Sequence, residues 1–231
     1  MMKMLLLGII CTLLATTSAE FCYSDVEGAC NPPKGQTSQT STLINEASRS
    51  DCNATYGSMD QLIVDLQTYA NHHIHISFQF LLMSTYFGNY EANRDGFKAL
   101  YRKLSDDAWE KGIDIIKYIT KRGGTMNFNE MPHTNLGPKG MHVVEQNEIH
   151  SLAKALDFEK FLANEGLRIH SRAENHKDGA IAHYLEEKFM ESQTQTVRSL
   201  SGHITDLKNM LNGRDGAVAV YLFDEYLKKS M

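Results

Sequence analysis

Four polar side chains lie on helical stripes that are otherwise apolar. They are His73, Lys111, Glu159 and Gln193. Each stripe advances in steps of three and four residues, so its members share one helix face and point to a common core. Imidazole, carboxylate and amide groups gathered there are suited to binding a metal ion, whereas a lysine ammonium has no lone pair and repels one. The pattern therefore indicates a metal site that has lost some of its ligands.

Glu159 requires a cation or hydrogen bonds if it is buried, because an uncompensated carboxylate in a protein core is strongly unfavourable. Lys111 supplies a cation on a neighbouring stripe, and we predict that its ammonium lies close to Glu159. The alternative is that Lys111 extends outward with its stem along the seam. His72 and His75 do not both share the face of His73, so this group predicts a solvated surface with one core histidine.

The overall composition is typical of one globular domain. Of the 231 residues, 42% are hydrophobic and 22% are charged. The formal net charge of −5 argues against binding to nucleic acid. Four prolines occur and strand-type alternation is scarce, which predicts a mostly helical chain.

Residues 1–19 have the pattern of a secretory signal peptide. Lys3 is the positive residue, 5–14 is an apolar run, and 17–19 supplies the small residues of a cleavage site. The run is too short to span a bilayer as a helix, and no later stretch is long and apolar enough. We therefore predict a protein that is secreted or lies in the lumen of the secretory pathway, with no membrane span. The alternative is an uncleaved anchor.

Residues 20–56 form a separate extension that contains prolines, a glycine and a serine/threonine/glutamine run. Its cysteines are Cys22, Cys30 and Cys52. An odd number of cysteines in an oxidising compartment predicts one internal disulfide and one bond to another chain, or alternatively a free thiol. The sequence leaves the pairing open. Asn53 begins an Asn-Ala-Thr sequon and is a candidate N-glycosylation site.

Residues 57–231 carry a series of helical patterns, each with apolar residues on one face. The patterns cover approximately 58–87, 95–121, 143–172, 178–210 and 215–228. A segment of about twenty residues separates the second pattern from the third, which is long for a loop in a compact domain. A loop of that length is expected if it crosses the length of a bundle. The sequence therefore predicts an all-α four-helix bundle with one long crossover and a short fifth helix.

Four short motifs make the chain resemble a known family. They are the stretch 77–87 on the first helix, Lys-Arg-Gly-Gly at 121–124, Gly-His-Ile-Thr-Asp-Leu at 202–207 and Tyr-Leu-Phe-Asp at 221–224. In this order and at these separations they resemble ferritin. The signal peptide, the extension and the sequon resemble the secreted light-chain type of insects. The resemblance covers about residue 57 to the end, and it implies a ferritin-like bundle whose crossover joins the second and third helices.

Ferritins with oxidase activity hold two irons inside the bundle, and the resemblance assigns those ligand positions in this chain. The positions are His73, Phe80, Asp107, Ala108, Lys111, Glu159 and Gln193. Glu159 and Gln193 keep the residue types of the family, whereas Ala108 replaces the bridging carboxylate and Lys111 replaces the imidazole. The resemblance therefore implies a degenerate site without ferroxidase activity, and we expect a subunit that is not an enzyme.

Two further iron-binding regions are implied by the resemblance. Light-type ferritins grow mineral on acidic groups of the inner surface, and the matching residues are Asp106, Asp107 and Glu110. Their spacing places them in one patch, although Lys103 makes the patch less acidic, and an ordinary solvated face is the alternative. Carboxylates of the fourth helix line iron entry channels at three-fold axes, and these positions fall on Glu186 and His183.

These features together lead us to expect a non-catalytic light-chain subunit of a secreted ferritin. We expect it to assemble with oxidase-competent heavy-chain subunits into a 24-subunit shell. The shell would hold ferric iron as a mineral core and serve iron storage, transport and homeostasis. One alternative is an active di-iron ferroxidase subunit, and another is a helical-bundle carrier or cytokine outside this family.

Overall fold

Helices make up the regular structure throughout the part of the chain that the structure describes. This computed structural model describes residues 52–128, 144–213 and 215–230. Its helices are α1 (Met59–Phe87), α2 (Asp95–Lys121), α3 (Glu148–Asn175), α4 (Gly179–Leu185), α5 (Glu191–Leu211) and α6 (Gly216–Ser230), with a π-helical turn (Glu186–Met190) between α4 and α5. None of the described residues lies in a strand. Because α4, the π turn and α5 continue as one bundle helix, the predicted all-α bundle with a short fifth helix is confirmed.

Some predicted features fall outside the described residues. They include the signal peptide at 1–19, Cys22 and Cys30, and residues 129–143 between the second and third bundle helices. Predictions about them stay predictions. Within the described ranges, no helix is long and apolar enough to cross a membrane.

The start of one helix and the cap of another need comment. α3 begins after Asn147, later than predicted, because Asn147 is extended and its side chain accepts a hydrogen bond from the His150 amide. α1 begins directly after Ser58, in agreement with the predicted pattern, and the Ser58 hydroxyl does not cap that helix. The hydroxyl instead donates to the His176 carbonyl at 2.9 Å, which ties the start of α1 to the end of α3.

An aromatic core holds α1, α2 and α3 together. The ring of Phe87 stacks on Phe97 and Tyr101, with centroids 5.2 and 5.5 Å away. Phe80, one of the positions assigned to the degenerate site, packs edge-on against Phe158 at 5.8 Å. These contacts bury large rings from three helices in one layer, and this rigid packing sets the spacing of the polar residues further along the bundle.

A buried ion pair ties the end of α2 to the start of α4. Arg122 donates to Asp178 at 3.0 Å, and each side chain is 3% exposed. Asp178 also accepts hydrogen bonds from the backbone amides of Ser58 and Ile181. Burial alone would raise the pKa of Asp178, but the hydrogen bonds from Arg122 and the two amides outweigh burial and lower it. This carboxylate therefore stays charged in the folded protein.

The short helix that follows the four bundle helices, α6, is anchored to the start of α2 by Asp224. Its buried carboxylate accepts a hydrogen bond from the Phe97 amide at 3.0 Å. Gly96 is required at this contact, since a Cβ there would lie 2.0 Å from the Asp224 carbonyl oxygen. Lys228 and Asp95 add an exposed ion pair at 3.2 Å. The Tyr-Leu-Phe-Asp motif thus serves to dock α6 on the bundle.

Candidate metal site in the bundle core

The polar residues singled out by their positions on the stripes meet around one small cavity in the bundle core. The cavity has a volume of about 10 Å³. It is lined by His73, Leu104, Asp107, Ala108, Lys111, Glu159, Leu162 and Thr196. Gln193 is buried and hydrogen-bonded to Glu159. A space of this size has room for about one water molecule.

Gln193 is the central member of a hydrogen-bonded chain. Its amide nitrogen donates to the Glu159 carboxylate at 2.5 Å and to the Glu159 backbone carbonyl at 3.0 Å. The Lys111 ammonium donates to the Gln193 amide oxygen at 3.5 Å. Lys111 is half-buried, so it does not extend freely into solvent. The sequence predicted that the Lys111 ammonium lies close to the Glu159 carboxylate. The structure corrects this prediction, because Lys111 forms no direct ion pair with Glu159 and the amide of Gln193 links the two groups.

Burial dominates the ionisation of Glu159. It raises the pKa of this carboxyl, and the negative charge of Asp107 acts in the same direction. The nearby Lys111 ammonium and the hydrogen bond from Gln193 act against burial but do not cancel it. The resulting pKa is about 7, compared with an ordinary value of 4.5. Glu159 therefore exchanges a proton close to neutral pH.

His73 is the least satisfied polar group of the site. Its side chain is fully buried, and neither ring nitrogen has a hydrogen-bond partner among the described residues. Tyr69 meets the imidazole edge-on at 4.6 Å, and Phe189 lies 5.7 Å away. Burial lowers the pKa of His73 well below its usual range, and the positive charge of Lys111 lowers it further. His73 is therefore a neutral imidazole enclosed by rings.

The cavity in the core is lined by three residues of metal-binding type, His73, Asp107 and Glu159. Ala108 is buried and presents a methyl group where the resemblance calls for a bridging carboxylate. Within the described ranges, no group of three or more His, Cys, Asp and Glu residues is arranged to hold a metal ion. A neutral imidazole and two carboxyls lie beside the Lys111 ammonium, which repels a cation.

The acidic patch of α2 is exposed, but its three residues have different surroundings. Asp106 forms an exposed ion pair with Arg102 at 2.9 Å, a contact that the sequence reasoning missed although the i, i+4 spacing could have shown it. Asp107 also lines the core cavity, so it borders both regions. Glu110 is exposed. The structure therefore keeps the three carboxylates on one helix and neutralises one of them in part.

The two proposed channel residues lie together at the α4–π turn boundary. His183 and Glu186 are exposed, and the His183 ring nitrogen is 4.0 Å from the Glu186 carboxylate. His170 of α3 was not predicted, and its ring nitrogen lies 2.8 Å from Glu186. No local spacing signals this contact, because His170 belongs to a different helix. Glu186 is thus held between two imidazoles.

Among the residues predicted to form disulfides or to carry a glycan, the structure describes Cys52 and Asn53. Cys52 takes part in a disulfide bond. Asn53 is exposed, as a glycosylation site must be. Because Cys22 and Cys30 lie outside the described residues, the pairing of the cysteines stays a prediction.

Comparison with known protein sequences defines the class of this bundle. A family model described as a ferritin-like domain matches residues 63–210. The chain is 43% identical to a ferritin light chain of Trichoplusia ni over all of both chains. It is 39% identical to a ferritin light chain of Drosophila melanogaster, covering 91% of this chain and 90% of that protein. The chain therefore belongs to the ferritin family, whose members store iron.

A solved structure agrees with this assignment. The fold is similar to that of a secreted ferritin from Trichoplusia ni, with a TM-score of 0.79 and 40% sequence identity. The match covers 92% of this chain and all of the other. The predicted resemblance to secreted insect ferritins is confirmed by these two kinds of comparison.

The expectation that the chain is not an enzyme is overturned by its family. Ferritins generally have ferroxidase activity, so membership in the family does not support the expectation of a non-enzyme. The expectation rested on Ala108 and Lys111 in the bundle of one chain. Ferritins work as multi-subunit shells, so the ligand set of a single bundle does not decide whether the protein takes part in oxidation.

Proposed function

We propose that this chain is the light-chain subunit of a secreted ferritin, which stores ferric iron as a mineral inside a shell shared with heavy-chain subunits. The observation that carries the proposal is the end-to-end similarity to an insect protein named ferritin light chain. The polar core supports it, because Lys111, Gln193 and Glu159 fill the bundle with a hydrogen-bonded chain where two metal ions would otherwise need ligands.

Mineral growth is assigned to the carboxylates of α2 in this proposal. Asp106, Asp107 and Glu110 are exposed on one helix, and hard oxygen ligands suit ferric iron. Like charges at i, i+3 and i, i+4 repel one another, so a bound cation relieves the repulsion. The ion pair between Arg102 and Asp106 would have to open, or tolerate iron beside it, as the patch fills.

Iron entry is assigned to the surface around Glu186. Symmetry-related copies of Glu186 and His183 would line a channel at a three-fold axis of a 24-subunit shell. The contact between Glu186 and His170 supports a positioned rather than a freely moving carboxylate. A fixed carboxylate facing a channel attracts cations and raises their local concentration.

Secretion and cross-linking complete the proposal. We assign residues 1–19 to a signal peptide that brings the chain into the secretory pathway, where Asn53 is available for glycosylation. Cys52 with Cys22 and Cys30 supplies an odd number of cysteines, which favours one bond to a neighbouring chain. Such a bond would favour a defined arrangement of light and heavy subunits over random mixing.

The test uses mixed shells loaded with iron. D106N/D107N/E110Q removes three charges with little change of shape, and it should slow growth of the ferric core several-fold in shells that contain heavy chains. The matched control is D114N/D157N/D206N, which removes the same charge from exposed positions outside the three-residue patch, one on α2 and two on other helices. Equal rates in the two variants would show that the α2 patch is ordinary surface.

The subunit assignment has its own readout. Native particles purified from a secretory host should contain both chain types by mass spectrometry, and a non-reducing gel should show a covalent dimer of two different chains that disappears on reduction. A particle containing this chain alone, with full iron loading, would overturn the proposed partnership.

A further inference from the structure

Glu186, the carboxylate assigned above to iron entry, has its two oxygens in different surroundings. Oε1 accepts a hydrogen bond from Nε2 of His170 at 2.8 Å. Oε2 lies 4.0 Å from Nδ1 of His183, which is beyond hydrogen-bond distance. The His170 side chain is 14% exposed, whereas that of His183 is 75% exposed. One oxygen is therefore held by a largely buried ring, and the other lies beside an imidazole on the surface of the subunit.

Charged groups around these histidines are paired locally. Nδ1 of His170 lies 3.6 Å from Glu174, and Nε2 of His183 lies 3.8 Å from Glu187. Lys188 pairs with Glu187 at 3.3 Å. Within the described ranges, no three or more His, Cys, Asp or Glu side chains are arranged to hold a metal ion, so a complete ligand set here needs further copies of the chain.

Calcium and ferrous ions make different demands on such a surface. Ca²⁺ takes about six to eight oxygen ligands, and carboxylates often bind it through both oxygens. Imidazole nitrogen instead suits iron and zinc. Because His170 occupies Oε1, Glu186 is left to bind a cation through Oε2, and the donor beside that oxygen is an imidazole nitrogen of His183. Both features disfavour Ca²⁺ and favour a divalent transition metal.

We propose that the channel at Glu186 selects divalent transition-metal ions over Ca²⁺. His183 supplies a nitrogen ligand, and His170 is a positioning residue that limits Glu186 to one oxygen. This selectivity rests on the proposed role of Glu186 in iron entry. His183 stands where the resemblance places a carboxylate. Calcium-binding modules outside the cell work at about 10⁻⁴ to 10⁻³ M Ca²⁺, so that ion would compete for a secreted channel lined by carboxylates alone.

The experiment titrates assembled, iron-free shells that contain this chain with Co²⁺ and, separately, with Ca²⁺. Calorimetry gives the affinities, and the visible absorption of Co²⁺ reports nitrogen ligands. E186Q shells, measured in the same way, identify the sites that belong to the channel. We expect these sites to bind Co²⁺ at least about tenfold more tightly than Ca²⁺. Equal affinities, or a preference for Ca²⁺, would overturn the proposal.

Replacing the nitrogen ligand tests His183. His183→Asn removes the imidazole without adding charge, and it should lower the Co²⁺-to-Ca²⁺ affinity ratio about tenfold and remove the absorption of nitrogen-bound Co²⁺. His183→Asp should lower the ratio further by strengthening Ca²⁺ binding. His150→Asp, which adds the same charge near the start of α3, should leave the ratio unchanged. A parent-like ratio in both His183 variants would refute the selectivity.

Replacing the hydrogen-bond donor tests His170. His170→Phe keeps a ring but frees Oε1 of Glu186, so Ca²⁺ should bind several-fold more tightly while the Co²⁺ affinity changes less. His170→Gln keeps an N–H donor and should stay closer to the parent protein, which a role in packing alone does not predict. An unchanged Ca²⁺ affinity in His170→Phe would refute the positioning role.

Fe²⁺ uptake separates this selectivity from the proposed function. If E186Q changes neither the rate of uptake nor the Co²⁺ sites, the surface around Glu186 is not the entry route and the proposed function fails at that point. If E186Q slows uptake but the His183 variants keep the parent ratio of affinities, the entry route stands and the selectivity is wrong.

Discussion

Asp178 and Glu159 are both buried carboxylates that lie near a cation, yet their ionisation is shifted in opposite directions. Asp178 contacts Arg122 directly and accepts two backbone amides, and its pKa is lowered. Glu159 is separated from Lys111 by the amide of Gln193, and its pKa is raised to about 7. Burial acts on both groups, so direct contact with the cation and the number of donors decide the sign. A nearby charge does not by itself keep a buried carboxylate ionised.

The two sites also differ in what they do for the fold. The Arg122 guanidinium bonds the Tyr118 hydroxyl and the Tyr56 carbonyl as well as Asp178, so it joins three segments at one end of the bundle. In the site around Glu159, neither ring nitrogen of His73 has a hydrogen-bond partner within the part of the chain that the structure describes. At the first site every hydrogen bond to the Asp178 carboxylate comes from a cation or a backbone amide, and at the second the Glu159 carboxyl is bonded by a neutral amide.

The largest effect should follow from removing the cation beside Asp178. Arg122→Met leaves a buried carboxylate facing no charge, and we expect a loss of about 3–5 kcal/mol in the free energy of unfolding. Guanidinium unfolding at pH 7 measures it. Arg102→Met, which breaks an exposed pair, should leave the midpoint near that of the parent protein.

A double variant separates the charge from the packing. R122M/D178N removes both charges and keeps the side-chain oxygen that caps α4, so it should recover part of the stability lost in Arg122→Met. If no stability is recovered, the loss in Arg122→Met comes from the aliphatic stem and the other contacts of Arg122. The difference between Asp178 and Glu159 would then not be explained by the charge of the neighbouring cation.

The pH dependence of stability should come next in size. Because the folded pKa of Glu159 is raised from 4.5 to about 7, the folded state holds a proton between these values that the unfolded state has released. Its stabilising contribution is complete below pH 4.5 and is lost as the pH rises to 7. Glu159→Gln should abolish this dependence, so its stability relative to the parent should rise by about 3 kcal/mol between pH 4.5 and 7.5.

Asp178 supplies the opposite control for the same measurement. Its lowered pKa gives a contribution that is present above the ordinary value of 3.8 and is lost as the pH falls further. We therefore expect unfolding midpoints measured from pH 3 to pH 8 to show a loss of stability at acid pH in both the parent and Glu159→Gln. Only the parent should also lose stability as the pH rises from 4.5 to 7. A flat profile in the parent between pH 4.5 and 7 would contradict the shift assigned to Glu159.

Removing Lys111 should have a smaller effect than removing Arg122. In Lys111→Met, Glu159 loses its nearest cation but can take up a proton and keep its hydrogen bond to Gln193, so the expected loss is about 1 kcal/mol at pH 6. The loss should grow at pH 8, where the proton is harder to retain. Unfolding of this variant at the two pH values checks the result, and equal losses would mean that Lys111 does not act on Glu159.

The smallest effect should come from His73. His73→Leu removes two ring nitrogens that have no hydrogen-bond partner among the described residues, and the leucine can pack on Tyr69 and Phe189, so the free energy of unfolding should change by less than about 1 kcal/mol. Thermal unfolding with His72→Leu as the neighbouring control measures this. A larger loss would show that an ordered water satisfies His73 in the small cavity.

Much of the fold could be predicted because helical periodicity depends on neighbouring residues alone. The starts and ends of α1 and α2 and the length of α6 follow from apolar steps of three and four and from the Gly-rich stops. The stripes also placed His73, Glu159 and Gln193 on inward faces, and all three are buried. What local pattern did not show is the π turn within the fourth bundle helix, since Glu186–Met190 reads as regular helix.

The sequence by itself determined which side chains face the core and which family the chain belongs to. Only the tertiary structure decided how those side chains meet: Gln193 between Lys111 and Glu159, the Ser58 hydroxyl on α3, and His170 beside Glu186. The physical reason is that periodicity sets the direction of a side chain from its own helix, whereas the distance between atoms on different helices depends on how the rings and small residues at each crossing pack. Gly166 is a further case, because a Cβ at that position would lie 3.0 Å from the hydroxyl oxygen of Tyr69 on another helix.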